Sequence, residues 1–310
     1  MVEALVLGGN GFLGSSLVDE LATAGHRVTV FDRFSRDTVY TAPDVRAVRG
    51  DLGDADAVAD AMAGQQVVFH FGGATTPVSS LRDPLAEVQR EVATTVSMLT
   101  AAAERGVERV VFASTGGAVY GDVGPEPASE QTAPAPISPY GIGKLAVEGF
   151  LRYFRDVTGL DTIALRISNP YGPRQRADRE QGLIPILLRR LAAGEPVLVY
   201  DDGSMVRDYV FAPDVARQVA RLADAEHAHA VYNVGSGEPH SVAEVLALAE
   251  AVAGRRAQVE RRQTPRGFVA RSLIDVSRFD TEFGRTATVE LADGIERTWR
   301  EISRERGATG

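Results

Sequence analysis

Over the first 170 residues, short runs of β-branched and other apolar residues alternate with longer stretches whose apolar positions recur at three- and four-residue spacing. The runs at 3–7, 27–32, 45–49, 67–71, 109–114 and 162–167 predict strands, and the stretches at 11–24, 54–63, 84–105 and 139–158 predict helices. Gly25, Gly64 and Gly106 stand where the first three of these helices should stop. Strand and helix in strict alternation are the signature of βαβ units on a parallel sheet, so the pattern predicts an α/β fold with a doubly wound parallel sheet. After about residue 170 the order changes. Helices are predicted near 183–193, 213–224, 241–253 and 289–304, short strands at 197–200 and 231–234, and extended chain over 259–275. The division expected is 1–170 as the main domain and 171–310 as a smaller α/β lobe, with parts of the second stretch returning to the first sheet.

Composition narrows the classes. With 310 residues the chain can bury a full core without staples, and the absence of cysteine excludes disulfides, thiolate metal sites and thiol catalysis. No apolar run approaches the roughly 18 residues of a membrane span, and residues 2–7 run straight into glycines with no basic segment before them. The expectation is a soluble cytoplasmic protein. A formal charge of −9 argues against a nucleic-acid or anionic membrane partner, though a local basic pocket can still hold a phosphorylated ligand. His227 and His229 do not share a helical face, so no metal site is expected there; His70 reads as a buried strand histidine.

The first strand runs into Gly8-Gly9-Asn10-Gly11-Phe12-Leu13-Gly14, which opens the first helix with glycines at 8, 11 and 14. Such a turn lets backbone approach a pyrophosphate where free N–H groups and the helix dipole favour an anion, and Phe12 and Leu13 fall at that helix start. Asp32 ends the second strand 18 residues beyond Gly14, where a carboxylate can accept both hydroxyls of an adenosine ribose and repel a 2′-phosphate. This makes the sheet Rossmann-type and the cofactor NAD rather than NADP, with Arg33 beside Asp32 as a partial counterweight. Asp51-Leu52 after the third strand and Phe71-Gly72-Gly73 after the fourth are further candidate cofactor contacts. Tyr140 and Lys144 share one helical face, and a lysine beside a phenol favours the phenolate, a base for an alcohol proton.

These motifs, with Ser114-Thr115-Gly116-Gly117-Ala118-Val119-Tyr120-Gly121 and Asn169-Pro170-Tyr171-Gly172-Pro173-Arg174-Gln175 in the same order, make the chain resemble the extended short-chain dehydrogenase/reductases from residue 2 to about 300. Within them it looks most like the nucleotide-sugar 4-epimerases acting on UDP-hexoses or UDP-N-acetylhexosamines. The resemblance implies that Tyr140 is the general base, that Lys144 binds nicotinamide ribose and depresses the tyrosine pKa, and that Thr115, or failing it Ser114, hydrogen-bonds the reacting sugar oxygen. It also implies a substrate set of Thr76, Asn169, Gly182, Leu183 and Arg207, a second phosphate cation at Arg266 or Arg271, Ser272 beside an N-acetyl group, and a homodimer built on the helices near 84–105 and 139–158. Dehydratases of this group place an Asp-Glu pair where this chain has Gly116-Gly117, and the 3,5-epimerase-reductases need a cysteine it lacks. Two positions depart from the usual pattern: Glu91 stands where relatives commonly have Asn, and Arg266-Gly267-Phe268 replaces Arg-x-Gly-Asp. The alternatives are a 4-ketosugar reductase or dehydratase-like enzyme using the same residues, and a non-catalytic dinucleotide-sensing protein, which the intact Thr115, Tyr140 and Lys144 disfavour.

Overall fold

A computed structural model describes residues 1–175, 181–264 and 269–307 of the chain. In chain order the elements are β1 (Glu3–Leu7), α1 (Phe12–Thr23), β2 (Arg27–Asp32), β3 (Arg46–Arg49), α2 (Ala55–Ala61), β4 (Val67–His70), α3 (Pro77–Arg82), α4 (Pro84–Glu87), α5 (Ala93–Glu104), β5 (Arg109–Thr115), α6 (Pro139–Thr158) and β6 (Asp161–Ile167). There follow β7 (Asn169–Tyr171), α7 (Leu183–Ala193), β8 (Val197–Tyr200), β9 (Val206–Phe211), α8 (Ala212–Ala220), β10 (Val231–Val234), β11 (Pro239–Ser241), α9 (Val242–Ala253), β12 (Val259–Arg262), β13 (Arg271–Ser272), α10 (Ser277–Phe283) and α11 (Leu291–Gly307).

Among the described residues the main sheet has seven strands, ordered β10-β6-β5-β4-β1-β2-β3, every pair parallel. The Rossmann-type fold expected from the pattern is therefore observed. Alternation along β1 shows how the sheet is buried on both sides. Ala4 and Val6 face a layer with Leu17, Val18 and Leu21 of α1 and Val215 and Val219 of α8, whereas Leu5 and Leu7 face Val58 of α2, Leu99 of α5 and Val147 and Leu151 of α6. The chain beyond 170 divides its contribution. β10 joins the edge of the main sheet beside β6, and α8 packs on α1. α7, α9 and α11 instead close over β8 and β9 around Ile184, Leu188, Val245 and Ile295 to make the second lobe.

Several elements differ from the sequence reading. The long helix expected at 84–105 is α4 and α5 joined by a π turn at Val88–Val92. α3, β7, β9, β11 and α10 escaped the pattern because each is short or carries polar residues at buried positions, Asp208 of β9 above all. Among its described residues, the stretch read as extended over 259–275 forms strands at β12 and β13. α6 keeps its expected bounds because its ends are chemically marked: Ser138 accepts a hydrogen bond from Gly141 N–H at 3.2 Å, Pro139 occupies the first turn, and Gly159 stops the helix at a φ of +77°.

Candidate active site

At the carboxyl ends of the central strands, where the order reverses between β1 and β4, a cavity of about 670 Å³ opens between the two lobes. The glycine turn forms one wall. Gly8 donates to Phe31 O at 2.9 Å and holds a φ of +80°, and a Cβ there would stand 2.5 Å from Gly72 Cα. A Cβ on Gly14 would come within 2.2 Å of the Gly8 carbonyl oxygen, so helix and turn close together only with glycine at both places. No side chain caps α1 at Gly11, which leaves the N–H groups of its first turn facing the cavity at Phe12 and Leu13. That is the donor set a pyrophosphate requires. Asp32 is oriented by backbone: one carboxylate oxygen accepts from Asn10 N–H at 3.1 Å and the other from Phe34 N–H at 3.2 Å, and each retains a lone pair for a hydroxyl. Asn10, buried and not signalled by any motif, pins the 36–39 segment by bonding Arg36 O, Asp37 O and Val39 N–H. These residues fit an adenine dinucleotide.

At the other end lie Thr115, at the tip of β5, and Tyr140 and Lys144 on α6. Lys144 is buried, donates to Ala113 O at 3.0 Å, and sits 4.5 Å from the Phe112 ring centroid and 5.7 Å from that of Tyr140. Burial lowers its pKa, while Glu91, Glu87 and Glu148 work in the opposite direction. The phenol differs from the sequence expectation. Burial and then the negative charges of Glu91 and Glu87 push the Tyr140 pKa upward, so in this chain by itself the lysine does not win. Both glutamates are buried on the α4–π-turn segment. Glu91 accepts N–H bonds from Ala74 and Thr75, and Glu87 accepts the Thr75 hydroxyl with one oxygen and has no partner on the other. Burial raises the Glu87 pKa.

Ser114 and Thr115 are adjacent yet do different things. The Ser114 hydroxyl donates to Glu148 at 2.5 Å, and Glu148 forms a bidentate pair with Arg166 whose side chains are only 7% and 6% exposed. Arg166 donates to Tyr120, which donates to Asn233, whose amide in turn reaches Ala128 O and Asp275 O. Gly116 follows with no room for a side chain, since a Cβ would lie 2.9 Å from Arg166 O and 3.1 Å from Ile274.

Gly8, Gly11, Phe12, Leu13, Asp32, Arg33, Asp51, Leu52, Phe71, Gly72, Gly73, Ser114, Thr115, Tyr140, Lys144, Asn169, Gly182, Leu183 and Arg207 all border this one cavity. Asn169 is oriented by donating to Asp208 O at 3.0 Å. Arg207 spends its donors on Val206 O and Val269 O, at 2.7 and 2.8 Å, and burial lowers its pKa. Three expected residues are not brought to the cavity wall. Thr76 caps α3 in a reciprocal bond with Ser79, and its neighbour Thr75 takes the lining position. Arg271 and Ser272 form β13 beside Val206 and Arg207, with Ser272 buried in that pairing. Arg266 and the Gly267-Phe268 that follow it lie outside the described residues. His70 pairs with Thr95 at 3.1 Å and is held uncharged by burial, its pKa pushed down to about 3. The His227 ring meets the Asp161 carboxylate through Nε2 and the His229 backbone carbonyl through Nδ1, each at 2.9 Å.

The family model described as "NAD dependent epimerase/dehydratase family" matches residues 4–235. A UDP-glucose 4-epimerase of Mycolicibacterium smegmatis is 34% identical over 304 residues, covering 96% of this chain and 97% of the relative. A dTDP-glucose 4,6-dehydratase of Streptomyces niveus is 30% identical over 312 residues, 96% of this chain and 91% of its own. Among solved structures, the UDP-glucose 4-epimerase of Thermus thermophilus in complex with NAD superimposes with a TM-score of 0.90 at 34% identity, covering 98% of this chain and 99% of that one.

Proposed function

Because the chain belongs to the NAD-dependent epimerase/dehydratase family, we propose that it is a nucleotide-sugar 4-epimerase, with a UDP-sugar as its substrate. The observation that carries the choice within the family is the convergence of Thr115, Tyr140 and Lys144 on a cavity whose next two residues, Gly116 and Gly117, offer no acid or base for eliminating water. At Gly116 the surrounding backbone leaves no space for one.

The chain's own residues divide the work. The first turn of α1 would hold the pyrophosphate of NAD and the Asp32 carboxylate its adenosine ribose, with Asp51, Leu52 and Phe71–Gly73 along the same cavity wall. Bound there, NAD would supply a hydride acceptor, and afterwards a hydride donor, for the sugar C4. Thr115 accepts or donates at the C4 oxygen, and Tyr140, as phenolate, removes the hydroxyl proton and later gives it back. Lys144, fixed on Ala113 O, supplies one positive charge toward the phenolate, and the cation of bound NAD would add a second against the burial that pushes the phenol upward. Asn169, Gly182, Leu183 and Arg207 bind the nucleotide diphosphate, where a guanidinium complements phosphate charge. A 4-keto sugar that turns over before hydride return comes back with C4 inverted, and no second substrate is consumed.

The protein acts as a homodimer through α4–α6. Leu85 and Val88 on one segment and Ile142, Phe150, Tyr153 and Val157 on α6 are exposed large apolar side chains, an uneconomical surface for a monomer. Tyr153→Glu should convert the species seen by light scattering from dimer to monomer; a wild-type monomer would remove this part of the reading. Among the described residues no helix is long and apolar enough to cross a membrane, and the protein is proposed to be cytoplasmic.

The direct test is incubation of purified protein, without added cofactor, with UDP-glucose, UDP-galactose, UDP-N-acetylglucosamine and UDP-glucuronate, followed by NMR of the C4 proton. Inversion of one of them, lost in Tyr140→Phe, is expected. Oxidation of added NADH by a keto-sugar with no inversion would indicate the reductase instead.

A further inference from the structure

We propose that Glu91 is a counter-charge for the oxidised nicotinamide, making this chain bind NAD⁺ in preference to NADH through a buried carboxylate on the cavity wall. The inference rests on the cofactor site described above and concerns which redox form that site favours.

Glu91 is buried at 5% exposure, borders the cavity, and has its Oε1 fixed by the N–H groups of Ala74 and Thr75. Backbone donors of this kind hold a carboxylate in place without neutralising it. The π turn at Val88–Val92 widens the helix where Glu91 sits, and the same segment carries Glu87. Among the described residues, the ionisable groups that act on Lys144 are Glu91, Glu87 and Glu148, and His70 of β4 lies near it uncharged. Glu87 is deprived of solvent and bonded by one hydroxyl only, and it does not border the cavity. Glu148 is saturated by Arg166 and Ser114. Among these carboxylates Glu91 is thus the one that borders the cavity and meets a cation that arrives there. The oxidised nicotinamide ring is such a cation and the reduced ring is not. A fixed negative charge therefore binds the two forms unequally, by an amount that a unit charge several ångströms away in partly screened surroundings sets at about tenfold.

Glu91→Gln separates charge from geometry, because the glutamine carbonyl can accept the same two N–H bonds. Affinities for NAD⁺ and NADH are measured by titration calorimetry on protein freed of bound nucleotide. The wild type is expected to prefer NAD⁺, and Glu91→Gln to reduce that ratio about tenfold. A second readout needs no cofactor: the ultraviolet titration of Tyr140, isolated by subtracting Tyr140→Phe, should move to lower pH in Glu91→Gln as one of the negative charges acting on it is lost. Glu91→Asn supplies an independent variant if Gln folds poorly. An unchanged NAD⁺/NADH ratio in Gln and Asn variants that still bind both forms would show Glu91 to be a loop clamp only and overturn the proposal. Failure of the wild type to bind either form would overturn the cofactor site along with it.

Discussion

α6 carries two buried polar clusters on one stripe, one helical turn apart, and they are built on opposite terms. Around Glu148 every strong group is answered: Arg166 takes both carboxylate oxygens, Ser114 donates to one of them, and Tyr120 and Asn233 continue the chain of bonds to backbone carbonyls. Around Tyr140 and Lys144 the groups are left in tension. The lysine faces a carbonyl and an aromatic ring, Glu87 keeps an oxygen without a partner, and the phenol is pushed away from ionising. A satisfied network fixes where α6 lies against β5 and β6, whereas an unsatisfied one stores sensitivity to whatever enters. The helix is anchored at one turn so that it can be reactive at the previous one.

The contrast can be broken most severely at Tyr140. Tyr140→Phe should lower epimerisation by at least about 10³-fold, within the range expected for losing a general base, while leaving the thermal midpoint close to wild type. A destabilised but active variant would place the tyrosine in the wrong cluster. Removing one partner of the satisfied network should do the reverse. Glu148→Gln or Arg166→Met leaves a buried charge without its counter-charge and should cost about 3–5 kcal/mol in urea unfolding. A loss below about 1 kcal/mol would make this pair no different from a surface ion pair.

A smaller effect calibrates both. His227 and Asp161 form a partly buried pair at the amino end of β6, away from the cavity. The Asp161 bond raises the His227 pKa against desolvation. Burial alone would raise that of Asp161, but the bonds from His227 and Arg109 outweigh it and the net shift is downward. The histidine contribution is present in full below its unfolded pKa, about 6.5, and is lost as pH rises through its raised folded value; the aspartate contribution is present above about 3.9 and is lost as pH falls through its lowered value. His227→Ala should therefore cost about 1 kcal/mol in the window of about pH 4 to 6.5 and less at pH 8.5, as urea midpoints at the two pH values will show. A cost independent of pH would mean that packing, not charge, is what the histidine supplies.

Residues that act through local spacing were legible in the sequence. The glycine turn, Asp32 and the Tyr140–Lys144 pair are defined by neighbours a few positions away, and the cavity assembles on them. What was not legible depends on chain segments meeting from afar. Glu91 registered only as an unexpected residue type, because its role comes from the 74–75 backbone folding onto it. Asn10 looked like one residue of a loop until Arg36–Val39 came to lie against it. Thr75 and Thr76 cannot be told apart by type, and the capping demand of α3 decides which one turns away. Ser114 and Thr115 pose the same problem, and Glu148, thirty-odd residues on, resolves it by claiming the serine.

The return of β10 to the main sheet sets a timetable for synthesis. β6 is complete at Ile167, yet the strand that covers its outer edge spans Val231–Val234, and the helix that shelters α1 spans Ala212–Ala220. At about 5–20 residues per second a ribosome needs roughly 3 to 13 s to make the intervening stretch. Through that interval the nascent sheet presents an open parallel edge and α1 an uncovered apolar flank, the surfaces on which chains of this kind aggregate. A fragment ending near residue 170 would keep those surfaces permanently. The latter third of the chain is thus the closing piece of the first fold as much as the roof over its cavity.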